Sequence, residues 1–365
     1  MHLKELQLIN FKNYESATMH FDESVVVFTG KNGSGKTNLL DAIHYLCACK
    51  SFINPIDTQN ILHEAPFFVV QGSFEHKEKK EDIYCGLKKG QKKIFKKNGK
   101  DYERLAEHIG QFPQVIISPS DATIILEGSE ERRRWMDSVI AQYNRVYLDK
   151  LMQYNRIVAQ RNAGLKQGNL TDELLDILDM QLPDKGNYIH AQRIAFIEQI
   201  QPLFHHYYEW ISGNAEAVKL EYDSQLNNQK FEDALLQARQ KDRMMQYSTL
   251  GVHKDELQMK MNGFPLKKYA SQGQQKSFMI ALKLAQFDII AKEKGLKPLL
   301  LLDDIFDKLD EQRTTALMKL VSQQHFGQIF ITDAHVERVA EILRGINCSF
   351  AHFLVEQGSI TRNEA

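Results

Sequence analysis

GKNGSGKT, residues Gly30 to Thr37, is the stretch that decides the fold. It fits G-x-x-x-x-G-K-[ST], with the apolar run Val25 to Phe28 reading as a strand before it and Asn38 to Leu46 as a helix after it. Glycines let the backbone curl so that successive N–H groups face phosphate oxygens, and the helix N-terminus adds its dipole. The spacing assigns Lys36 to the outer phosphates of ATP and gives Thr37 a hydroxyl for Mg2+. The expected ATP-binding set is Gly30, Lys31, Asn32, Gly33, Ser34, Gly35, Lys36, Thr37 and Asn38.

Around this loop lie 365 residues, 43% hydrophobic and 25% charged, ordinary for a soluble globular chain of two domains. A formal net charge of −1 supplies no general field toward nucleic acid, so any such binding falls to local patches. Cys47, Cys49, Cys85 and Cys348 make no C-x-x-C pair and no zinc spacing, which reads as reduced thiols in a cytoplasmic protein. The N-terminus MHLKELQLINF alternates like a strand, and no apolar run approaches the ~20 residues of a membrane span. A soluble, cytosolic protein without a membrane partner is expected.

Strand patterns dominate the first part of the chain. Two alternating segments between Leu3 and Phe28 flank the polar turn FKNYES, and residues 66–104 read as an antiparallel meander with Asn98 and Gly99 as a turn signal. After QVIISPSD, Gln114 to Asp121, the periods become helical: Ser129 reads as an N-cap, and further helices run from Thr171 to about Ile211, interrupted near Pro183 and Pro202, and from Phe231 to about Met245. DELQMKM, the turn Asn262-Gly263 and FPLKKY then read as a hairpin. Alternating helices and apolar strands to the C-terminus indicate a mostly parallel sheet. The expected fold class is α/β, a phosphate-loop ATPase head of mixed sheet plus small antiparallel sheet (1–128 and 248–365), interrupted by a compact, mainly helical domain (129–247).

Two further motifs extend the chemistry. The run Leu299 to Leu302 should be a buried strand, placing Asp303 and Asp304 at its carboxyl end, where ligands bind in open α/β sheets. Asp303 is the candidate Mg2+ holder, and Asp304, with Lys36, the candidate catalytic group that orients or deprotonates the attacking water. SQGQQK, from Ser271, reads either as an ordinary helix N-cap or as a site for the γ-phosphate of ATP held by a second subunit, through Ser271, Gln272, Gly273 and Gln274.

The order of these three motifs is that of ATP-binding-cassette ATPases, and the chain resembles the RecF family of bacterial DNA-repair ATPases, related to the Rad50 and SMC families. Besides the ATP motifs, the resemblance rests on NFKNY from Asn10, GSEERRRWMD from Gly128, GVHKDEL from Gly251, SQGQQKSFMIALKLAQ from Ser271 and LLLDDIFDKLD ending at Asp310. It implies a head that forms a homodimer on ATP, binds double-stranded and gapped DNA at junctions with single strands, and works with RecR and RecO to help load RecA. It also places Asp310 as the D-loop aspartate coupling two ATP sites. Asp304 stands where most cassette ATPases have Glu, which implies slow hydrolysis suited to a timed clamp.

Some positions depart from the wider cassette pattern. SPSD, Ser118 to Asp121, occupies the place of the magnesium-sensing glutamine, and Asp333 that of the switch histidine, with His335 two residues on. Lys254 stands where Arg is frequent, which removes a bidentate fork. Lys88, Lys89, Lys92, Lys93, Lys96 and Lys97 lie in a basic run that reads as a solvated face or, on the small sheet of such a head, as a DNA phosphate contact. Arg132, Arg133 and Arg134 oppose a helix dipole and suit a buried ion pair or a reach toward the nucleotide. Competing classes are a transporter's energy-coupling subunit, disfavoured by the long separation from Lys36 to Asp303, and a cassette ATPase acting on a protein partner rather than DNA. A guanine-reading N-K-x-D motif is absent.

Overall fold

Val25–Thr29 is buried at every position, as a strand covered on both faces requires, and it forms part of the parallel core of a six-stranded sheet. The computed structural model describes residues 1–76, 79–213, 216–306, 311–322 and 325–363. Its elements begin with β1 (His2–Phe11), β2 (Tyr14–His20), β3 (Val25–Thr29), α1 (Lys36–Ala48), β4 (Phe67–His76), β5 (Lys79–Lys88), β6 (Ile94–Lys97), β7 (Lys100–Asp101) and β8 (Gln114–Ile117). There follow α2 (Ala122–Leu126), α3 (Ser129–Tyr143), α4 (Arg145–Gln167), α5 (Asp172–Ser212), β9 (Val218–Asp223), α6 (Phe231–Met245), β10 (Glu256–Met261), β11 (Phe264–Pro265) and α7 (Leu266–Tyr269). The chain continues through α8 (Gln272–Lys294), β12 (Leu299–Asp303), α9 (Glu311–Ser322), β13 (Ile329–Asp333), α10 (Arg338–Gly345), β14 (Ala351–Glu356) and β15 (Ser359–Asn363).

Two compact units share these elements: Met1–Asp121, Trp210–Ser212 and Lys276–Ala365 in one, Ala122–Glu209 and Gly213–Gln275 in the other. The divisions, after Asp121 and after Gln275, fall earlier and later than the expected 128/129 and 247/248, because α2 and β10 pack with α3, and α7 with α2 and β10, inside the second unit. Within the first unit, β14, β3, β13, β12 and β8 lie parallel in that order, with β15 antiparallel at the edge. A second sheet, in the order β2-β1-β4-β5-β6-β7, joins the expected antiparallel meander of 66–104 to the early hairpin through the pairing of β1 with β4. Asn98 and Gly99 join β6 to β7 with φ 51° and 78°, the doubly left-handed turn that Asn-Gly favours. The apolar residues Leu39, Leu40, Ile43 and Leu46 bury α1 in one core with Phe11, Phe28, Phe68 and Phe330. Gly72 permits a close approach there, since a Cβ would lie 2.5 Å from Leu46 Cδ1.

Helices dominate the second unit, with β9, β10 and β11 as a small sheet. α5 runs unbroken through Pro183 and Pro202, where breaks were expected. Each internal proline removes a helix hydrogen bond at a cost of about 3 kcal/mol, and the buried Leu175, Leu182, Ile189, Phe196, Ile200 and Phe204 along the same helix offset it. The expected cap Ser129 is the first residue of α3, whose cap is Gly128, while Asn144 separates α3 from α4 and accepts from the Tyr147 N–H at 2.9 Å. Arg193 is buried in this unit and donates to Asp137 at 2.9 Å, Asp255 at 2.9 Å and the Val252 carbonyl at 2.7 Å, so its charge is matched on several sides. Arg132 forks onto Glu256 at 2.7 and 2.8 Å, Arg133 donates to the Asp255 carbonyl, and Arg134 pairs with Glu130 and Glu131 at the surface. All three arginines of RRR are therefore held inside the second unit.

Candidate nucleotide site

β3 delivers the chain at Thr29, and the loop Gly30 to Gly35 turns it into α1 through three left-handed glycines, Gly30, Gly33 and Gly35 at φ 152°, 80° and 114°. Two of them are also sterically fixed. A Cβ on Gly30 would lie 2.2 Å from the Val355 carbonyl oxygen, and one on Gly35 would lie 2.4 Å from Asn13 Nδ2. The β1–β2 turn braces the loop from outside: Asn13 Nδ2 donates to the Ser34 carbonyl at 3.2 Å, and the Tyr14 hydroxyl donates to the Gly35 carbonyl at 3.0 Å. Asn38 Nδ2 in turn donates to Asn13 Oδ1 at 2.7 Å, tying the first turn of α1 to the same brace. Burial pushes the Tyr14 hydroxyl well above its ordinary range, which keeps it a donor.

Lys36 folds back on the loop and donates to the carbonyls of Gly30 at 2.7 Å and Lys31 at 3.0 Å. Burial lowers its ammonium from the usual value, and the charges of Asp304, Asp303 and Asp333 oppose that shift. Ser34 Oγ is buried with no hydrogen-bond partner among the described residues. A phosphate oxygen supplies what that hydroxyl and the loop N–H groups require.

The parallel register sets Asp303 of β12 beside Thr332 of β13. Thr37 Oγ1 donates to Asp303 Oδ1 at 2.9 Å, Thr332 Oγ1 donates to the same oxygen at 2.8 Å, and the Asp304 N–H donates to Thr332 Oγ1 at 2.9 Å. Asp304 follows with φ 47°, a left-handed conformation uncommon outside glycine. Burial raises the Asp303 carboxyl above its usual range, opposed by the hydrogen bonds from Thr332 and Thr37. A threonine hydroxyl and a buried carboxylate at one point are hard oxygen donors, so the residues present fit Mg2+.

Residues 2–352 match the model of the RecF/RecN/SMC N-terminal domain. A "DNA replication and repair protein RecF" of Phocaeicola vulgatus is 47% identical, over 100% of this chain and 99% of its own length. The chain belongs to the RecF family. A RecF relative from Flavobacterium johnsoniae is 46% identical over 97% of this chain and 99% of its own. A solved structure of the recombination mediator protein RecF with ATP, in the RecFOR pathway, superposes with a TM-score of 0.89 at 28% identity, covering 99% of this chain and 97% of that one. The Smc head of Pyrococcus furiosus shares the fold at a TM-score of 0.59 and 16% identity.

The structure brings Lys36, Thr37, Asp303 and Asp304 of this RecF-family chain together in the first unit. Ser271, Gln272, Gly273 and Gln274 stand in the second, at the start of α8. There Ser271 and Gln274 form a reciprocal cap: Gln274 Oε1 accepts from the Ser271 N–H at 2.7 Å, and Ser271 Oγ accepts from the Gln274 N–H at 3.3 Å. Gln274 also donates to Glu216 at 2.7 Å, so its side chain is engaged, whereas Ser271 and Gln272 are exposed. Asp310, expected as the D-loop aspartate, lies outside the described residues.

The remaining expected positions divide sharply. Asp333 is buried and forked by Arg338 at 2.8 and 2.6 Å while accepting from the His335 N–H at 3.0 Å, and the His335 side chain is exposed. Asp121 accepts from the Ser118 N–H and forms an ion pair of 2.6 Å with Lys283 of α8. Lys254 stacks its ammonium over Tyr247, 4.6 Å from the ring centroid. Of the six candidate lysines, Lys88, Lys89 and Lys92 are exposed. Lys93 is instead nearly buried, donating to Asp57 at 2.8 Å, the Cys49 carbonyl at 2.7 Å and Tyr45 at 3.2 Å. Lys97 pairs with Glu81 at 2.8 Å and Gln111 at 2.9 Å, and Lys96 lies 3.8 Å from Asp101. Lys88 ends β5 and Lys89 and Lys92 lie in the turn before β6, whereas Lys93 and Lys97 flank the buried Phe95 on the side where Asp57 and Glu81 stand, a division that no count of lysines registers. Asn13 and Tyr14 touch the phosphate loop and Thr332 touches the acidic pair, and sequence reasoning left all three without a role. The NFKNY pattern contains the first two, but their target, the loop carbonyls, becomes visible only in three dimensions.

Proposed function

We propose that this protein is an ATP-gated DNA-binding ATPase of recombinational repair and replication-gap maintenance, closing as a homodimer on ATP and opening after slow hydrolysis. The observation that carries the reading is a divided site. The phosphate loop, Lys36, Thr37, Asp303 and Asp304 are assembled in one compact unit, while Ser271 lies exposed in the other, just before α8, of which only residues 272–275 belong to that second unit. A helix start with an exposed hydroxyl suits the γ-phosphate of ATP held by a second copy of the chain.

In this reading Lys36 exchanges its loop carbonyls for the outer phosphates, and the amides of Gly33, Ser34 and Gly35 cradle the remaining oxygens. Thr37 and Asp303 hold Mg2+, which when bound offsets charge on the phosphates. Asp304 orients the attacking water and takes its proton, with a side chain one methylene shorter than Glu, consistent with slow turnover. The exposed Lys88, Lys89 and Lys92 meet DNA phosphates without reading sequence. RecR and RecO as partners, and RecA as the protein loaded, are what membership of the family suggests; the RecFOR pathway named for the ATP-bound relative supports the first two.

The test is affinity for a short duplex carrying a single-stranded gap, in ATP-Mg2+ and in ADP-Mg2+ at one fixed salt concentration. Tighter binding with ATP supports the clamp. Equal affinity removes the ATP gate, and no binding in either state moves the function to a protein-partner ATPase.

A further inference from the structure

We infer that Thr332 is a positioning residue that sets both carboxylates of the acidic pair. The inference rests on the proposed roles of Asp303 and Asp304. β13 reads IFITD and is buried throughout, a setting in which an apolar β-branched side chain fits every position. The hydroxyl at 332, fully buried, therefore carries a cost unless its hydrogen bonds are made.

Those bonds are both directed at the acidic pair. Thr332 spends its single O–H on Asp303 Oδ1 and uses an oxygen lone pair to accept from the Asp304 N–H. Asp303 Oδ1 thus takes two donors, Thr37 and Thr332, and among the described residues Oδ2 accepts no hydrogen bond. Holding one oxygen from two sides fixes the carboxylate plane and leaves the other oxygen for Mg2+ or its water. The second bond anchors Asp304 as it enters its left-handed turn at φ 47°, where a non-glycine residue needs an external restraint. One hydroxyl so couples the direction of the metal-holding carboxylate to the backbone of the water-orienting residue. β13 supplies it because its register places 332 opposite 303.

Thr332→Val removes the hydroxyl and keeps the β-branched shape, while Thr332→Ser keeps the hydroxyl. Affinity for a fluorescent ATP analogue is measured without and with Mg2+, together with kcat and KM for ATP and the melting midpoint of each variant. The Val variant is expected to bind the analogue without Mg2+ as the parent does, to lose about tenfold of the Mg2+-dependent gain, and to lose about tenfold in kcat. The Ser variant is expected to recover most of both. A Val variant with the parental Mg2+ gain and kcat overturns the inference, as does a Ser variant that melts normally yet fails as Val does. Asp303→Asn is the control: if it leaves the Mg2+ gain intact, the reading of the acidic pair fails instead.

Discussion

Asn13→Ala tests whether the β1–β2 turn is part of the nucleotide site. The side chain holds two bonds, one to the Ser34 carbonyl at 3.2 Å and one from Asn38 Nδ2 at 2.7 Å. Each such bond is worth ~0.5–1.5 kcal/mol net, and Asn13 is half-buried, so water recovers part of the loss. A remaining deficit of about 1.4 kcal/mol corresponds to about tenfold weaker ATP binding. Tyr14→Phe should cost less, about threefold. The Gly35 carbonyl that loses the tyrosine still accepts from the Asn38 N–H at 2.9 Å and the Leu39 N–H at 3.2 Å, so no buried acceptor is orphaned. Titration with a fluorescent ATP analogue ranks the two variants, and a double-mutant cycle with Asn38→Ala isolates the side-chain pair. Parental affinity for a folded Asn13→Ala protein, or a Tyr14→Phe defect larger than that of Asn13→Ala, refutes the bracing argument.

Ser271→Ala should leave ATP binding by the monomer intact and impair ATP-driven dimerisation, read by analytical ultracentrifugation; normal dimerisation would remove the main support for a shared site. Replacing Lys88, Lys89 and Lys92 together by Ala should weaken DNA binding and reduce the salt dependence of log K by up to about three units, whereas Lys93→Ala should lower stability by ~1.5–3 kcal/mol, because Asp57 loses its cation and keeps only the Tyr45 hydroxyl. An unchanged salt slope in the triple variant would clear that surface of DNA contact. Burial holds His44, His108 and His253 neutral by pushing each down to about 4. The unfolded chain binds these protons near pH 6.5, so their contribution is complete above that value and is lost as pH falls toward 4, on the order of 1–2 kcal/mol per histidine by pH 5. Urea unfolding at pH 7 and pH 5 measures it, and equal stabilities would show that the three rings are solvated.

Local chemistry explains which parts of this were legible in the sequence. The loop glycines, Asn98-Gly99, Asn262-Gly263 and the four-leucine strand each impose their own backbone, so their conformations follow from neighbours within a few residues. Pro183 and Pro202 misled for the complementary reason: a local penalty was read without the apolar packing along α5 that outweighs it. Lys93 and Lys97 look like their neighbours as letters, and only pairing with Asp57 and Glu81 separates them from a solvated face. Asn13 and Thr332 were hidden because their partners stand far away in sequence, Ser34 brought to Asn13 across two sheets and Asp303 brought to Thr332 by strand register.

Register also explains how a long helical unit can interrupt the head without disturbing its chemistry. β8 and β12 are adjacent parallel strands, Ile117 opposite Leu302, so the chain leaves the sheet at the carboxyl end of β8 and re-enters it on the neighbouring strand at the amino end of β12. The entropic cost of such a closure grows only as the logarithm of the enclosed length, about 0.6 kcal/mol for each doubling. Extending or shrinking the second unit therefore costs the first little, provided the strand ends keep their register. The buried pair of Lys283 and Asp121 fastens that closure, joining the segment just after β8 to the helix that leads back to β12. Asp303 emerges at the carboxyl end of the returning strand, one step past Leu302, and meets Thr37 across the sheet whatever the intervening residues do. The acidic pair is positioned by strand pairing on both sides of β12.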